Sequence, residues 1–216
     1  MKDVQGLTYM GPHDRLKCDA CMRMSGNKAP FKGVAMHRST IAGERIHSDV
    51  KSVSVRSKKG CKYAVCFVDD ATRRGKSYGM QRKDQVLEMW QKFLEEELIA
   101  RGKSCKYLRS DNGGEYCSAE MDAFNNCRGI QSERSPPFCQ SGDGVSEVYW
   151  RDTFRMVRTI IWDQQRDHSW WLAALNFADH IRNHLATTAL EDTVPEVAFT
   201  GKPVDVSHFR VPLATC

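Results

Sequence analysis

The nine residues Leu108–Tyr116, LRSDNGGEY, decide how this chain is interpreted. The short apolar–polar run Cys105–Arg109 has the pattern of a β-strand, and the Asn-Gly-Gly after Asp111 is typical of a tight turn. The pattern therefore predicts a strand whose end delivers a carboxylate. A single acid in such a turn is most often a turn residue or a helix cap, so the interpretation depends on its companions.

Two further acids stand in comparable settings. Asp49 ends the strand-like run Arg45–Asp49, and Glu147 follows a glycine-containing loop with 35 residues between it and Asp111. Three carboxylates are what a site needs to hold two divalent metal ions. Such a pair, about 3.5–4 Å apart, activates the attacking oxygen and stabilises the leaving one in phosphoryl transfer.

The pattern along the chain is that of an α/β fold. Strands are predicted at Arg45–Val50, Tyr63–Val68, Lys76–Met80, Cys105–Arg109 and Ile130–Ser135. Helices are predicted at Asp84–Arg101, from an N-cap at Ser118 to Arg128, at Val145–Asp163 and at Trp170–Leu185. Residues 1–40 are interpreted as a lead-in, 41–190 as the core, and 191–216 as a surface tail with little regular structure.

Composition sets weaker limits. The net charge of +5 permits binding to nucleic acid but does not predict it. Nine cysteines, an odd number in no small-domain framework, and the absence of a signal segment predict a reduced intracellular compartment. No apolar run approaches the ~18 residues of a membrane span.

The flanks of the three acids carry a family resemblance. His47-Ser48-Asp49, then Arg109–Tyr116, then Gly144–Glu147 resemble the D,D-35-E site of the retroviral integrase superfamily, especially the integrases of Copia-type LTR retrotransposons. The runs Tyr63–Arg73 and Gly201–Val211 also resemble family segments. The resemblance thus extends over nearly the whole chain, from Cys18.

The resemblance implies a fold and an activity. The expected fold is a ribonuclease H-like core, a mixed five-stranded sheet flanked by helices, with Asp49 on the central strand. Asp49, Asp111 and Glu147 would hold two Mg²⁺ or Mn²⁺ ions. The expected enzyme is a polynucleotidyl transferase and endonuclease that trims the 3′ ends of element DNA and joins them to target DNA. Its partners would be double-stranded DNA and further copies of itself, in a cytoplasmic particle and the nucleus and with no membrane.

Two further groups of residues carry weaker hypotheses. Cys18 and Cys21 form half of a four-ligand zinc site. The family places a His pair well upstream, so zinc is expected only if that missing pair is supplied. Arg151, Arg155 and Arg158 share a helix face with Glu147, which fits either a solvated stripe or a track for the DNA backbone.

Three other features have simpler interpretations. Asp69 and Asp70 are interpreted as the turn after the second strand, because adjacent strand residues point to opposite faces. Glu115 is expected to orient the Asp111 loop without being catalytic. The Trp170-Trp171 pair is interpreted as core or interface, not as a base-stacking platform.

The loop before Glu147 departs from the family pattern. Relatives commonly have Pro-Gln-x-Asn-Gly there and Arg-Lys after the glutamate, whereas this chain has Gln140–Gly144 and then Val148-Tyr149. An alternative is therefore a catalytically decayed copy that acts at most as a nucleic-acid-binding or assembly module. A transposase of the same superfamily and a plain ribonuclease H are closer rivals, and the Cys-x-x-Cys and Gly-Lys-Pro segments favour the retrotransposon over both.

Overall fold

The chain builds a mixed five-stranded sheet flanked by helices, as predicted. The structure, a computed structural model, describes residues 4–5, 38–134, 144–210 and 213. Cys18, Cys21 and the loop segment 140–143 lie outside the described residues. Among the described residues, no helix is long and apolar enough to cross a membrane.

The element order follows the expected α/β alternation. The strands are β1 (Val4–Gln5), β2 (Arg45–Ser52), β3 (Tyr63–Asp69), β4 (Gly75–Met80), β5 (Tyr107–Ser110), β6 (Gln131–Arg134) and β7 (Val204–Asp205). The helices are α1 (Val86–Phe93), α2 (Ala119–Cys127), α3 (Gly144–Asp163), α4 (Trp171–His184) and α5 (Pro195–Thr200).

The main sheet has the strand order β4-β3-β2-β5-β6, so β2 is central. Strand β2 runs antiparallel to β3 and parallel to β5, while β3 is antiparallel to β4 and β5 is parallel to β6. Parallel neighbours need a crossover, which the helical connection between β4 and β5 supplies. A separate parallel pair joins β1 to β7.

The two faces of the sheet pack against different helices, because successive strand residues point to opposite sides. On one face, Ile46 and Phe67 join a core with α1, where the Phe67 ring lies 5.2 Å from that of Trp90. On the other face, Cys66 and Val68 join a second core with α3 and α4. This second face carries the candidate site.

The predicted helix Asp84–Arg101 is not one uniform α-helix. It opens with a 3₁₀ turn, continues as α1, widens to a π-helical turn at Leu94–Leu98 and closes with a 3₁₀ turn before Gly102. Within the π turn Glu97 is buried, and its carboxylate pairs with Arg74 at 2.7 Å. A single π-helical turn inside an α-helical segment is a local irregularity in the helix.

The helix ends predicted from capping residues are confirmed. The Ser118 hydroxyl accepts a hydrogen bond from the backbone N–H of Met121 (3.2 Å) at the start of α2. Gly129, with φ of 68°, follows the end of that helix. Left-handed backbone at this position is where glycine is favoured.

The expectation that the tail has little regular structure is wrong. Helix α5 begins at Pro195 and is closed by Gly201 in the left-handed conformation, so these two residues are caps of a helix and not breakers of one. Phe199 is buried in the core of the α1 face. Glu196 adds an ion pair with the buried Arg74 (2.5 Å), which fixes α5 to the turn between β3 and β4.

Candidate active site

The first candidate ligand lies on β2, and the second directly follows the parallel strand β5. In the pairing of β2 with β5, Ile46 is opposite Leu108 and His47 is opposite Arg109. If the same register is continued by two residues, Asp49 and Asp111 reach the same level. Asp49 is partly buried and Asp111 is exposed, so the pair lies at the edge of the sheet that faces solvent.

The third candidate ligand lies on the helix that covers this face. Asp49 is paired with Cys66 of β3, and Cys66 belongs to the core beneath α3 and α4. Helix α3 packs against both β2 and β3. Glu147 is exposed in the first turn of that helix, beside the buried Ser146. The topology therefore brings all three acids to one face of the sheet.

The Asp111 loop is shaped by a glycine. The N–H of Gly113 donates to the Asp111 carboxylate (3.0 Å), and the Gly113 carbonyl accepts from Tyr116 N–H (2.9 Å). A Cβ on Gly113 would lie 3.0 Å from Asp111 Oδ1 and 2.9 Å from Glu115 Cδ. Glu115 in turn pairs with Lys83 at 3.1 Å, as expected for a residue that orients the loop.

A pair of buried hydroxyls connects the loop to β2. The Ser48 and Tyr116 hydroxyls are 2.6 Å apart, and both residues are buried. Burial raises the pKa of Tyr116 well above its ordinary value, and the charges of Asp49 and Asp111 act in the same direction. Sequence reasoning missed this pair, although both residues lie inside the two motifs that it used.

Helix α3 is fixed by a buried polar network two residues after Glu147. The Tyr149 hydroxyl donates to Asp179 of α4 at 2.5 Å, and Ser77 of β4 donates to the same carboxylate from its N–H (2.7 Å) and its hydroxyl (3.1 Å). Burial raises the pKa of Asp179 to about 6. No local pattern in the sequence signals this network, because its members are far apart in the chain.

Close packing on β4 reinforces the same network. A Cβ on Gly75 would overlap the Tyr149 ring, with Cζ only 2.7 Å away. The Asn183 side chain closes a pair of hydrogen bonds with the backbone of Gly75 (3.0 and 2.7 Å). The Arg182 guanidinium lies 4.5 Å from the centre of the Tyr149 ring. Tyr149 is therefore a core residue.

The donor chemistry of the three acids suits hard divalent cations, since carboxylate oxygens are the ligands that Mg²⁺ and Mn²⁺ prefer. Within residues 38–134 and 144–210, however, no three His, Cys, Asp or Glu side chains lie close enough together to hold one ion. Asp49 and Asp111 are level on the sheet, and Glu147 stands on the facing helix.

Asp70 begins the turn after β3, as predicted, and Asp69 is the last residue of that strand. Asp69 accepts hydrogen bonds from Gly43 N–H (2.8 Å) and from Thr72, and its burial raises its pKa. Burial also acts to raise the pKa of Asp70, but hydrogen bonds from His47 and the Ser39 N–H outweigh it and hold that pKa well below its ordinary range. Both carboxylates are therefore engaged in hydrogen bonds within the fold.

The three arginines after Glu147 are exposed along α3. Arg151 and Arg155 share Asp152, at 3.3 and 3.7 Å. In the part of the chain that the structure describes, Arg158 forms no ion pair. Exposed pairs of this kind are weak, so all three guanidinium groups are available to a phosphate backbone.

The tryptophan pair belongs to the fold, as predicted. Trp171 is buried in the core of the α3–α4 face, and its indole N–H donates to the Val55 carbonyl (2.9 Å). Trp170 is partly exposed under the Arg166 guanidinium, 5.7 Å from its ring centre. Neither side chain offers an open stacking platform.

Known proteins resemble the chain in sequence and in fold. Residues 39–138 match the family "Integrase core domain". The Retrovirus-related Pol polyprotein from transposon TNT 1-94 of Nicotiana tabacum is 33% identical over 197 residues, which are 90% of this chain and 15% of that protein. The chain therefore spans about a seventh of that relative's length.

Solved structures agree on the fold. The simian T-cell lymphotropic virus intasome in complex with PP2A regulatory subunit B56 gamma aligns with a TM-score of 0.66 at 15% identity, over 92% of this chain and 67% of that one. The HTLV-2 integrase catalytic core domain in complex with magnesium, in a trimeric form, aligns with a TM-score of 0.59 at 15% identity, over 75% and 99%.

The fold is therefore the ribonuclease H-like fold of integrase catalytic cores, with a carboxylate-bearing sheet edge. The chain belongs to the retroviral integrase superfamily and carries its catalytic core domain. The resemblance to integrases of Copia-type retrotransposons is confirmed by the transposon polyprotein among its relatives.

Proposed function

We propose that this chain is the catalytic region of a retrotransposon integrase that processes the 3′ ends of element DNA and joins them to target DNA. The observation that carries the proposal is that Asp49 on β2 and Asp111 just after the parallel β5 follow the last residues of the pairing between these strands, while helix α3, which bears Glu147, packs on β2. Membership of the integrase superfamily supports the same reaction class.

In the proposed reaction, Asp49, Asp111 and Glu147 would hold two Mg²⁺ or Mn²⁺ ions. Such ions activate an attacking oxygen and stabilise the leaving oxygen in an in-line displacement. Water attacks first, and the freed DNA 3′-hydroxyl attacks next. In each step a new oxygen–phosphorus bond forms as the old phosphodiester bond breaks. The protein contributes chiefly by positioning and by neutralising charge.

The rigid and the exposed parts of the site have separate tasks in this proposal. Strand β2 holds Asp49 and β5 leads into the Asp111 loop, while the exposed Glu147 completes the set from the helix. The magnesium bound by the HTLV-2 catalytic core supports the choice of ion, and its trimeric form and the intasome support self-association and DNA as a partner.

The first test is a strand-transfer and disintegration assay on labelled duplex DNA with Mg²⁺ or Mn²⁺, comparing the chain with Glu147→Gln. Disintegration asks the core alone for one phosphoryl transfer on preformed branched DNA. We expect metal-dependent product that disappears in the variant. Asp163→Asn is the matched control, because this acid is exposed at the far end of the same helix and should leave the product unchanged.

Absence of product with either metal, from protein shown to be folded, would overturn the enzymatic proposal. It would favour the alternative of a decayed copy that only binds nucleic acid. The observation that keeps this alternative in view is the departure of Gln140–Gly144 and Val148-Tyr149, on either side of Glu147, from the family pattern.

A second test addresses the arginine track. Replacing Arg151, Arg155 and Arg158 together by Ala should weaken binding to duplex DNA of any sequence, because phosphate contacts carry no sequence information. The slope of log affinity against log salt concentration should fall by about one for each phosphate that the protein no longer neutralises. An unchanged slope would show that these side chains form only a solvated stripe.

A further inference from the structure

Resting on the proposed function, we infer that the buried hydroxyl pair of Ser48 and Tyr116 sets the separation of Asp49 and Asp111 and thereby the affinity of the site for its divalent ions. Ser48 directly precedes Asp49, and Tyr116 closes the loop that Asp111 begins. Neither residue is a ligand; both are positioning residues.

The argument starts from where the backbone ladder ends. The pairing of β2 with β5 covers Arg45 to His47 and does not extend to Asp49. Strand β5 itself ends at Ser110, one residue before Asp111. At the level of the two aspartates the strands are thus no longer joined by paired residues. Beyond the paired residues, the Ser48 and Tyr116 hydroxyls join the two segments with a contact of 2.6 Å.

The two ends of this connection differ in how they are held. Ser48 is held within the antiparallel pairing of β2 with β3, opposite Phe67. Tyr116 belongs to a single 3₁₀ turn, Gly114–Tyr116, between two irregular segments. The hydroxyl contact therefore ties a short turn to the fixed centre of the sheet. It acts on the face opposite Asp49, since Ser48 and Asp49 are adjacent on a strand.

The hydroxyl group of Tyr116 can be removed without loosening the rest of the residue. Its ring lies in the core of the α1 face, and its backbone carbonyl accepts from Arg134 (3.0 Å). Phe at this position keeps the ring, the volume and the backbone contact, and removes only the link to Ser48. Partners of this kind outside the ligand set commonly change metal affinity by about 10-fold to 100-fold.

The test is the binding of Mn²⁺ alone to the full chain, measured by electron paramagnetic resonance of the free ion, without DNA. Tyr116→Phe should weaken Mn²⁺ binding by about 10-fold. Ser48→Ala should do the same, and the double variant should be no weaker than either single one, because both changes break one contact. Tyr78→Phe is the matched control, since Tyr78 is buried in the same core cluster but on β4.

The outcomes separate this inference from the function on which it rests. If the unaltered chain does not bind Mn²⁺, both the proposed metal site and this inference are wrong. If it binds, and Tyr116→Phe binds equally well or loses no more affinity than Tyr78→Phe, the inference alone is overturned. A loss of affinity confined to Tyr116→Phe and Ser48→Ala, in protein with native circular dichroism, would support it.

Discussion

The candidate site is assembled by two regions that hold their carboxylates by different means. Asp49 stands on the central strand β2, within its pairing with β3, and Asp111 directly follows β5, which is paired with β2 as far as His47 and Arg109. Glu147 stands on α3, whose position depends on side chains: Tyr149 against Gly75, and its hydroxyl on Asp179. Backbone pairing tolerates many sequences, whereas a buried polar network tolerates few, because each unmet partner carries a full desolvation cost.

This difference locates the weak point of the site. Drift in sequence should disturb the placement of Glu147 before it disturbs the two aspartates. The departures from the family pattern lie on this side, in the loop before Glu147 and at Val148-Tyr149 after it. The following experiments break the two regions separately.

The largest expected effect is a pH dependence that belongs to the helix region. Burial raises the pKa of Asp179 from 3.8 to about 6, so the folded state keeps a proton that the unfolded state has released. Its stabilising contribution is therefore complete below pH 3.8 and is lost as the pH rises through about 6. Asp179→Asn cannot titrate, so its unfolding free energy relative to wild type should rise by about 2–3 kcal/mol from pH 4 to pH 7.

Denaturant titrations at several pH values measure this difference. Asp69 also has a raised pKa, but it is present in both proteins and cancels. The depressed pKa of Asp70 makes its contribution constant over this window, since it is lost only in stronger acid. A difference between Asp179→Asn and wild type that does not vary with pH would show that Asp179 is ionised throughout.

The next effect is steric. Gly75→Ala would drive a Cβ into the buried Tyr149 ring, which has no flexible end to yield. Overpacking of this kind costs about 1–3 kcal/mol. Gly144→Ala is the control, because a Cβ there meets no atom of the described residues within 4 Å. Thermal unfolding of the two variants should differ clearly, and equal midpoints would contradict the close approach of β4 to α3.

A smaller effect is expected from Tyr149→Phe. It deletes one donor to Asp179 and leaves the two from Ser77. The loss of stability should be about 1 kcal/mol at pH 7. Because the Tyr149 hydrogen bond lowers the pKa of Asp179, its removal should move the pH transition of stability upward. A transition that stays in place would show that burial alone sets that pKa.

The sequence predicted the sheet well, for a local reason. The strand-like runs Arg45–Val50 and Tyr63–Val68 and the N-cap at Ser118 are signals contained within a few residues, and the structure confirms each. The family motifs added the order in which strands meet, which periodicity alone does not contain.

The interactions that the sequence did not predict join distant segments. Nothing near Tyr149 indicates that it reaches Asp179, 30 residues later, or that Gly75 leaves room for its ring. In the sequence, Pro195 and Gly201 resemble residues that interrupt a helix. Their role at the two ends of α5 depends on the packing of Phe199 in the core. Such contacts are decided by tertiary packing, which a local pattern does not encode.

The smallest effect on stability tests the strand region, and it should be the more informative for the site. Gly113→Ala would place a Cβ 3.0 Å from Asp111 Oδ1 and 2.9 Å from Glu115 Cδ, so these side chains must shift. Both contacts are with the ends of side chains, and Asp111 is exposed, so these groups can shift and the unfolding free energy should change by less than about 1 kcal/mol. Gly114→Ala is the neighbouring control, since a Cβ there meets no atom of the described residues within 4 Å, and fixing a flexible residue should be neutral or slightly stabilising.

Mn²⁺ binding should weaken in Gly113→Ala and not in Gly114→Ala. Equal binding by the two variants would mean that Asp111 is free to reorient, and that the sheet edge holds its carboxylates no more firmly than the helix does.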